Sequence, residues 1–241
     1  LFSFKDKIIV ITGGSKGIGE TIAKDFKKLD AKVIIIDIIE PKIEYDYFYK
    51  GDITQESVLE SFSKVIIEKF NHIDYLINNA CEGNGGIFNS GYEEFLYTQK
   101  LGVVAPFMLS KLFLNHFNKE ASIINISSTR AFQSQKNTEC YSAAKGGIVA
   151  LTHSLAVSLQ GKVRVNCISP GWIDTFNQNF SLEDNQQHLV KRVGKPEDIS
   201  NAVQFLCSEK SSFITGENII IDGGMSKQMI YHDDFGWKYK P

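Results

Sequence analysis

Residues Lys7 to Gly19, KIIVITGGSKGIG, are the stretch on which the fold turns. Ile8, Ile9, Val10 and Ile11 form a short apolar run of the kind that makes a buried parallel strand. Thr12-Gly-Gly-Ser-Lys-Gly-Ile-Gly19 follows, and then Ile18, Ile22, Ala23, Phe26 and Leu29 recur at helical intervals. Strand, glycine turn and helix together open a dinucleotide-binding unit. Glycine allows a tight turn and close approach of a ligand to the backbone. The helix start then offers free N–H groups and a positive dipole end to a pyrophosphate.

Working outward, Lys32 to Asp37 (KVIIID) reads as a second buried strand that ends in an acid 18 residues after Gly19. A carboxylate there accepts both hydroxyls of an adenosine ribose and repels a 2′-phosphate, which favours NAD(H). Lys16, a cation inside the glycine loop, keeps NADP(H) possible. The few residues before Tyr45–Tyr49, interrupted by Pro41, are too short for a full crossover, so a loop is expected there. Asp52 is a candidate acceptor for an adenine amino group, with a capping acid as the alternative. Residues 55–70 read as a helix, and Ile73 to Ile77 as a fourth strand that delivers Asn78, Asn79, Ala80 and Cys81 to the crevice floor. The glycine-rich segment 83–91 is expected to line the opening. Ser90 to Glu93 has the form of a capping box for a long helix over about 92–117, bent near Gly102 by Pro106.

A fifth strand, Ser122 to Ser127, delivers Ser128. Tyr141 and Lys145 stand four apart at the start of the next helix, which runs to about residue 159, and so share a face. In a parallel sheet the strand end, the helix start and the glycine loop lie on one edge. A nearby ammonium favours ionisation of the phenol, which can then exchange a proton with an alcohol. Ser128 is suited to donate to the substrate oxygen, and Lys145 to hold the nicotinamide ribose. This constellation points to interconversion of a secondary alcohol and a ketone or aldehyde. Val163 to Ile168 and Ile219 to Ile221 complete seven strands. Residues 172–192 read as a mobile segment covering the substrate. Phe88, Arg130, Phe132, Gln133, Trp172 and Phe176 are candidate pocket residues by position.

Composition bounds the alternatives. The chain has 241 residues, 43% of them apolar, enough for a sizeable core, and one domain over 1–241 accounts for the whole. A net charge of -2 without a basic stripe argues against a nucleic-acid partner, and no 18-residue apolar run argues for a membrane span. A strand beginning near residue 7 leaves no room for a signal peptide. Four scattered cysteines without a CxxC pair fit free thiols and a cytoplasmic setting. Neither they nor the five histidines show metal-ligand spacing, so no metal is expected.

Over essentially its whole length the chain resembles the short-chain dehydrogenase/reductase family. TGGSKGIG (12–19), the acid at 37, NNAC (78–81), NISS (125–128), YSAAK (141–145), PGWIDT (170–175), GKPED (194–198) and ITGENIIIDGG (214–224) carry the resemblance. It implies an α/β, doubly wound (Rossmann) seven-stranded parallel sheet with helices on both faces, and a nicotinamide cofactor. It implies Ser128, Tyr141 and Lys145 as the catalytic set. Gly13, Ser15, Ile18 and Gly19 would surround the pyrophosphate, with Lys16 and Gly17 in the same loop. Asp52 and Ile53 would lie by the adenine, Asn79 and Ala80 by the riboses, and Gly171, Ile173 and Thr175, after Pro170, by the carboxamide. A homotetramer or homodimer acting on a small alcohol or carbonyl compound is further implied. Two positions depart from the pattern. Gly102 stands where the family has an Asn whose carbonyl holds a relay water, and glycine keeps that carbonyl. Cys81 stands where Gly is usual. The alternatives are a nucleotide-binding regulatory protein with weakened catalysis, or an epimerase or dehydratase on the same fold.

Overall fold

The computed structural model describes residues 3–82 and 85–240. Strands β1 (Ile8–Thr12), β2 (Lys32–Asp37) and β3 (Tyr47–Lys50) come first, with helix α1 (Gly17–Lys28) between β1 and β2. Helix α2 (Glu56–Phe70) and strand β4 (Ile73–Asn78) follow. Then come α3 (Tyr92–Gln99), a π-helical turn (Lys100–Val104), α4 (Ala105–Leu112) and β5 (Phe117–Ile126). The rest comprises α5 (Glu139–Ser158), β6 (Val163–Pro170), α6 (Leu182–Gln186), α7 (Pro196–Cys207) and β7 (Asn218–Ile221). The seven strands form one sheet in the order β3-β2-β1-β4-β5-β6-β7, and every neighbouring pair is parallel. The doubly wound seven-stranded reading therefore holds.

Strand side chains alternate between two cores, which is why both faces of the sheet are apolar. Val10, Ile34, Ile36 and Leu76 pack with Leu59, Phe62 and Ile66 of α2, Leu109 of α4 and Ala156 of α5. Ile9, Ile11, Val33, Ile35 and Ile77 pack with Ile22, Ala23 and Phe26 of α1 and with Ile199, Val203 and Leu206 of α7. The helical spacing in the sequence thus selects the buried stripe of each helix. Pro196 takes the first position of α7, where a missing N–H costs nothing.

The structure corrects three boundaries. The helix expected over 92–117 ends at Leu112, because a turn at 113–116 lets Phe117 join the sheet, paired with Ile73. Strand β5 accordingly starts five residues earlier than expected and ends at Ile126, so Ser128 lies just beyond it. The cap of α3 is shifted by one residue: the Gly91 N–H donates to Glu94 Oε2 at 2.9 Å, and Glu93 takes no part. The bend expected near Gly102 is the π-helical turn, which sits just before Pro106. The loop expected between β2 and β3 is observed, and β3 and β7, the two sheet edges, are four residues each. Residues 83 and 84 of the glycine-rich segment lie outside the described residues.

At the opposite edge of the sheet from the glycine turn, the Asp74 carboxylate is buried and joins three elements. It accepts from the Ile8 N–H at 2.8 Å, from Lys7 Nζ at 3.2 Å and from Asn118 Nδ2 at 3.0 Å. Asp74→Ala strands the buried Ile8 N–H, so a loss of about 1–3 kcal/mol of stability is expected, read as a lower urea midpoint with unchanged m-value.

Candidate active site

The site forms where the strand order reverses, between the C-terminal ends of β1 and β4. Gly13 has φ +66°, and a Cβ there would stand 2.8 Å from Ala80 Cα, so only glycine lets the turn lie against the end of β4. The turn is stitched to that strand. Thr12 Oγ1 accepts from the N–H groups of Asn79 and Ala80, both at 3.0 Å. Asn79 Nδ2 donates back to the carbonyls of Thr12 at 3.1 Å and Gly13 at 2.9 Å. The Asn79 side chain is thus committed to the turn. Gly19 packs so closely on the Gly13 carbonyl that a Cβ would overlap it at 2.2 Å.

A cavity of about 420 Å³ runs along this edge. Gly13, Lys16, Ile18, Asp37, Asp52, Ile53, Asn79, Ala80, Ser128, Tyr141, Lys145, Pro170, Gly171, Ile173 and Thr175 all line it. Ser15, Gly17 and Gly19 do not; they shape the loop from behind. The Ser15 N–H donates to Asp37 Oδ2 at 3.0 Å, and a Cβ on Gly17 would press on Thr175. Asp37 Oδ1 also accepts from the Ile39 N–H at 3.1 Å, so its carboxylate is held at the cavity's end. Asp52 Oδ1 accepts from the Thr54 N–H and hydroxyl at 3.0 and 2.9 Å, a local turn of the kind Asp favours. Those bonds close a turn ahead of α2, whose N-cap is Gln55 without a side-chain bond, so Asp52 is no helix cap and still lines the cavity.

The catalytic candidates come together. Tyr141 lies in the first turn of α5 and Lys145 one turn on, with its Nζ 5.3 Å from the Tyr141 ring centroid. Lys145 is buried and donates to the Ile126 carbonyl at 2.7 Å. Burial works against its charge, yet the neighbouring Cys81 and Tyr141 outweigh that penalty and hold its pKa above the usual lysine value. Ser127 Oγ donates to the Lys145 carbonyl at 2.7 Å, which fixes α5 to the end of β5. Ser128 Oγ accepts from the Arg130 N–H at 3.1 Å, so its own proton is left to donate.

The π-helical turn packs on the same helix. A Cβ on Gly102 would stand 2.9 Å from Ala144 Cβ, the residue before Lys145, and one on Gly147 would stand 2.9 Å from Val103 Cγ2. Two glycines thus bring the turn and α5 together. Glu139 Oε2 and Asn137 Oδ1 accept from the Ile87 and Phe88 N–H groups, both at 3.1 Å, and so pin the segment after β4 to the start of α5.

Of the pocket residues proposed from position, Phe88, Arg130, Phe132, Gln133, Trp172 and Phe176 are all absent from the cavity wall. Phe88, Phe132 and Phe176 are exposed, and Trp172 packs edge-on against Phe180 at 5.2 Å. The segment after β6 is anchored at its far end, where Arg192 contacts Asp198 at 2.6 and 2.7 Å and holds that carboxyl below its usual range. Sequence reasoning missed Ile38, Ile39, Glu82, Tyr97 and Leu101 in the wall. Ile38 and Ile39 carried a signal, two apolar residues directly after a cofactor-facing acid; Tyr97 carried none, since its helix face is set only by the packing of α3. Among the described residues no group of three or more His, Cys, Asp or Glu is placed to hold a metal, and no helix is long and apolar enough to cross a membrane.

The donor set fits a dinucleotide: a turn whose Gly13 bears no Cβ, a helix start, a carboxylate at one end and a phenol–ammonium pair at the other. A family model described as enoyl-(acyl carrier protein) reductase matches residues 13–226. An uncharacterised oxidoreductase of Thermotoga maritima is 40% identical over 252 residues, covering 94% of this chain and 98% of its own. Among solved structures, an apo SCOR enzyme from Clostridium thermocellum superposes with TM-score 0.91 at 48% identity, covering 98% of this chain and 99% of that one. The ligand-free aldohexose dehydrogenase of Thermoplasma acidophilum superposes with TM-score 0.91 at 29% identity, covering 97% and 100%.

The close approach at Gly102 makes a direct expectation. Gly102→Ala forces the turn away from Ala144 and costs about 1–3 kcal/mol, and Gly102→Asn costs more, both read as lowered thermal midpoints.

Proposed function

Because the chain belongs to the short-chain dehydrogenase/reductase family, we propose that Tyr141, Lys145 and Ser128 carry out its chemistry at the edge of the sheet. The protein is an enzyme, an oxidoreductase interconverting alcohols and ketones with a nicotinamide cofactor of the NAD(P) type. The observation that carries the residue assignment is that all three side chains share one cavity with the glycine turn and Asp37.

In this reading Gly13, Lys16 and Ile18 hold the pyrophosphate at the start of α1, and Asp37 accepts the adenosine ribose hydroxyls. Asp37 enters with both oxygens already oriented by backbone N–H groups. Asp52 and Glu82 add carboxylates along the same wall, so a 2′-phosphate meets repulsion and NAD(H) is preferred. Asn79 and Ala80 face the riboses with backbone atoms, and Gly171, Ile173 and Thr175 face the carboxamide. When bound, the nicotinamide gives or takes the hydride. Ser128 donates to the substrate oxygen, and Tyr141 gives or takes the hydroxyl proton. The Lys145 ammonium favours the phenolate form of Tyr141. The Gly102 carbonyl, in the widened turn, retains the relay role toward Lys145.

Residues 172–192 are proposed to cover the substrate. Exposed Tyr92, Phe95, Val104 and Phe107 of α3, α4 and the turn between them, with Val157 of α5, supply apolar surface for a homotetramer or homodimer. Four free cysteines fit a cytoplasmic setting. The likeness to an aldohexose dehydrogenase puts sugars first among substrates to try.

Reduction of NAD and NADP by a panel of sugars, polyols, hydroxy acids and steroids, followed at 340 nm, tests the reading. Tyr141→Phe is expected to lower kcat/KM by about 10²–10⁴ while cofactor binding, read by fluorescence titration, persists. Asp37→Ser is expected to shift the NADP:NAD ratio of kcat/KM upward by about tenfold or more, a change of about 1.4 kcal/mol. A wild-type protein that binds neither nucleotide would end the assignment.

A further inference from the structure

Tyr75, Ser122 and Arg164 stand in one row across β4, β5 and β6. Residues in register on parallel strands share a face, so the phenol and the guanidinium rise from the same side of the sheet, about 10 Å apart at the backbone. Ser122 between them is short and buried, its Oγ donating to the Leu206 carbonyl at 3.3 Å. Two long polar side chains thus flank a gap near the end of α7. Both line a cavity of about 970 Å³, larger than the one beside the glycine turn and set at the starts of the strands instead of their ends.

The two flanking groups lack the partners their chemistry calls for. Arg164 is half-buried, and its hydrogen bonds go to backbone carbonyls, Leu206 at 2.8 Å and Ile214 and Ser208 at 3.4 Å each. Those carbonyls fix the guanidinium without neutralising it, whereas a buried charge is ordinarily balanced by an opposite one. Tyr75 is 6% exposed, with its ring packed edge-on against Phe4 at 5.6 Å. Its hydroxyl makes no hydrogen bond among the described residues. Burial pushes the Tyr75 pKa up, so the hydroxyl keeps a proton to donate. Lys119, Lys162 and Lys210 add ammonium groups to the wall, against the carboxylates of Glu120 and Glu209. Lys7 lines it too, but is engaged by Asp74 at 3.2 Å. The wall is therefore positive on balance. Phe4 and Cys207 supply apolar surface on the same face.

We propose that this cavity is a second ligand site, which takes a small organic anion: one carboxylate held between the Arg164 guanidinium and the Tyr75 hydroxyl, on an apolar body lying against Phe4 and Cys207. A carboxylate answers both deficits. It neutralises the guanidinium, and its second oxygen accepts from the phenol. The lysines raise the concentration of anions at the mouth. The volume falls in the range of small-molecule sites, about 300–1,000 Å³. The site lies at the other end of the strands from the glycine turn, so it needs no nucleotide and stands apart from the dehydrogenase reading.

Octanoate and its neutral isostere octanamide, titrated into the nucleotide-free protein by isothermal titration calorimetry, test the assignment. Octanoate is expected to bind at one site, and octanamide about tenfold more weakly or not at all. Tyr75→Phe keeps the ring packing and removes only the hydroxyl, and is expected to weaken octanoate by about threefold to tenfold. Because that hydroxyl is unmatched in the free protein, the same variant is expected to keep or raise the thermal midpoint without ligand. Lys162→Glu, at an exposed position, is expected to weaken octanoate several-fold and to lessen the effect of added salt on its affinity. Absence of octanoate binding overturns the proposal. So does equal affinity for octanamide, and so does octanoate affinity unchanged in both variants, which would place the ligand elsewhere on the molecule.

Discussion

The reciprocal hydrogen bonding between Thr12 and Asn79 is the constraint on which the site depends. A parallel sheet whose order reverses opens a gap between two neighbouring strand ends, and nothing in the ladder itself sets its width. Here the Thr12 hydroxyl collects two backbone N–H groups of the opposing strand's extension, and the Asn79 amide returns to two carbonyls of the turn. Four partly buried hydrogen bonds hold the glycine turn against Ala80. The absence of a Cβ on Gly13 makes the approach sterically feasible.

A second joint, apolar this time, fixes α5. Gly102 against Ala144 and Gly147 against Val103 bring the π-helical turn and α5 to a distance that larger residues forbid. A π-turn carries an extra residue in the helix and is costly unless packing holds it, so such turns cluster at functional positions. The cost falls here beside the residue that precedes Lys145. From the other side, Ser127 ties the Lys145 backbone to the end of β5. The lysine is therefore located by three elements at once, and its buried ammonium has the Ile126 carbonyl and the Tyr141 ring face beside it.

Most of the architecture was legible in the chain because its signals are local. Ile8–Ile11 and Val33–Ile36 read as buried strands without help from elsewhere, and Ile22, Ala23 and Phe26 mark the inner face of α1 at once. The convergence of Ser128, Tyr141 and Lys145 was legible from topology, since a parallel sheet puts its strand ends and helix starts on one edge. What escaped were features set by contact. The helix thought to reach residue 117 stops at Leu112 because Phe117 finds a strand partner in Ile73, and no local propensity announces that pairing. The side chain of Asn79 turned inward to the glycine loop, and the aromatic residues Phe88, Phe132 and Phe176 stayed outside the cavity. Both outcomes depend on loop geometry that residue type alone leaves open.

The two outermost strands have a bearing on how the molecule behaves in a crowded solution. An exposed strand flank is a template on which further chains can stack without limit, and its danger grows with its length. Both flanks here stop at four residues, and one of them ends in Lys50, whose charge discourages a neighbour. So brief a ladder offers a neighbouring chain few hydrogen-bonding groups, and the edges are blunted against open-ended stacking.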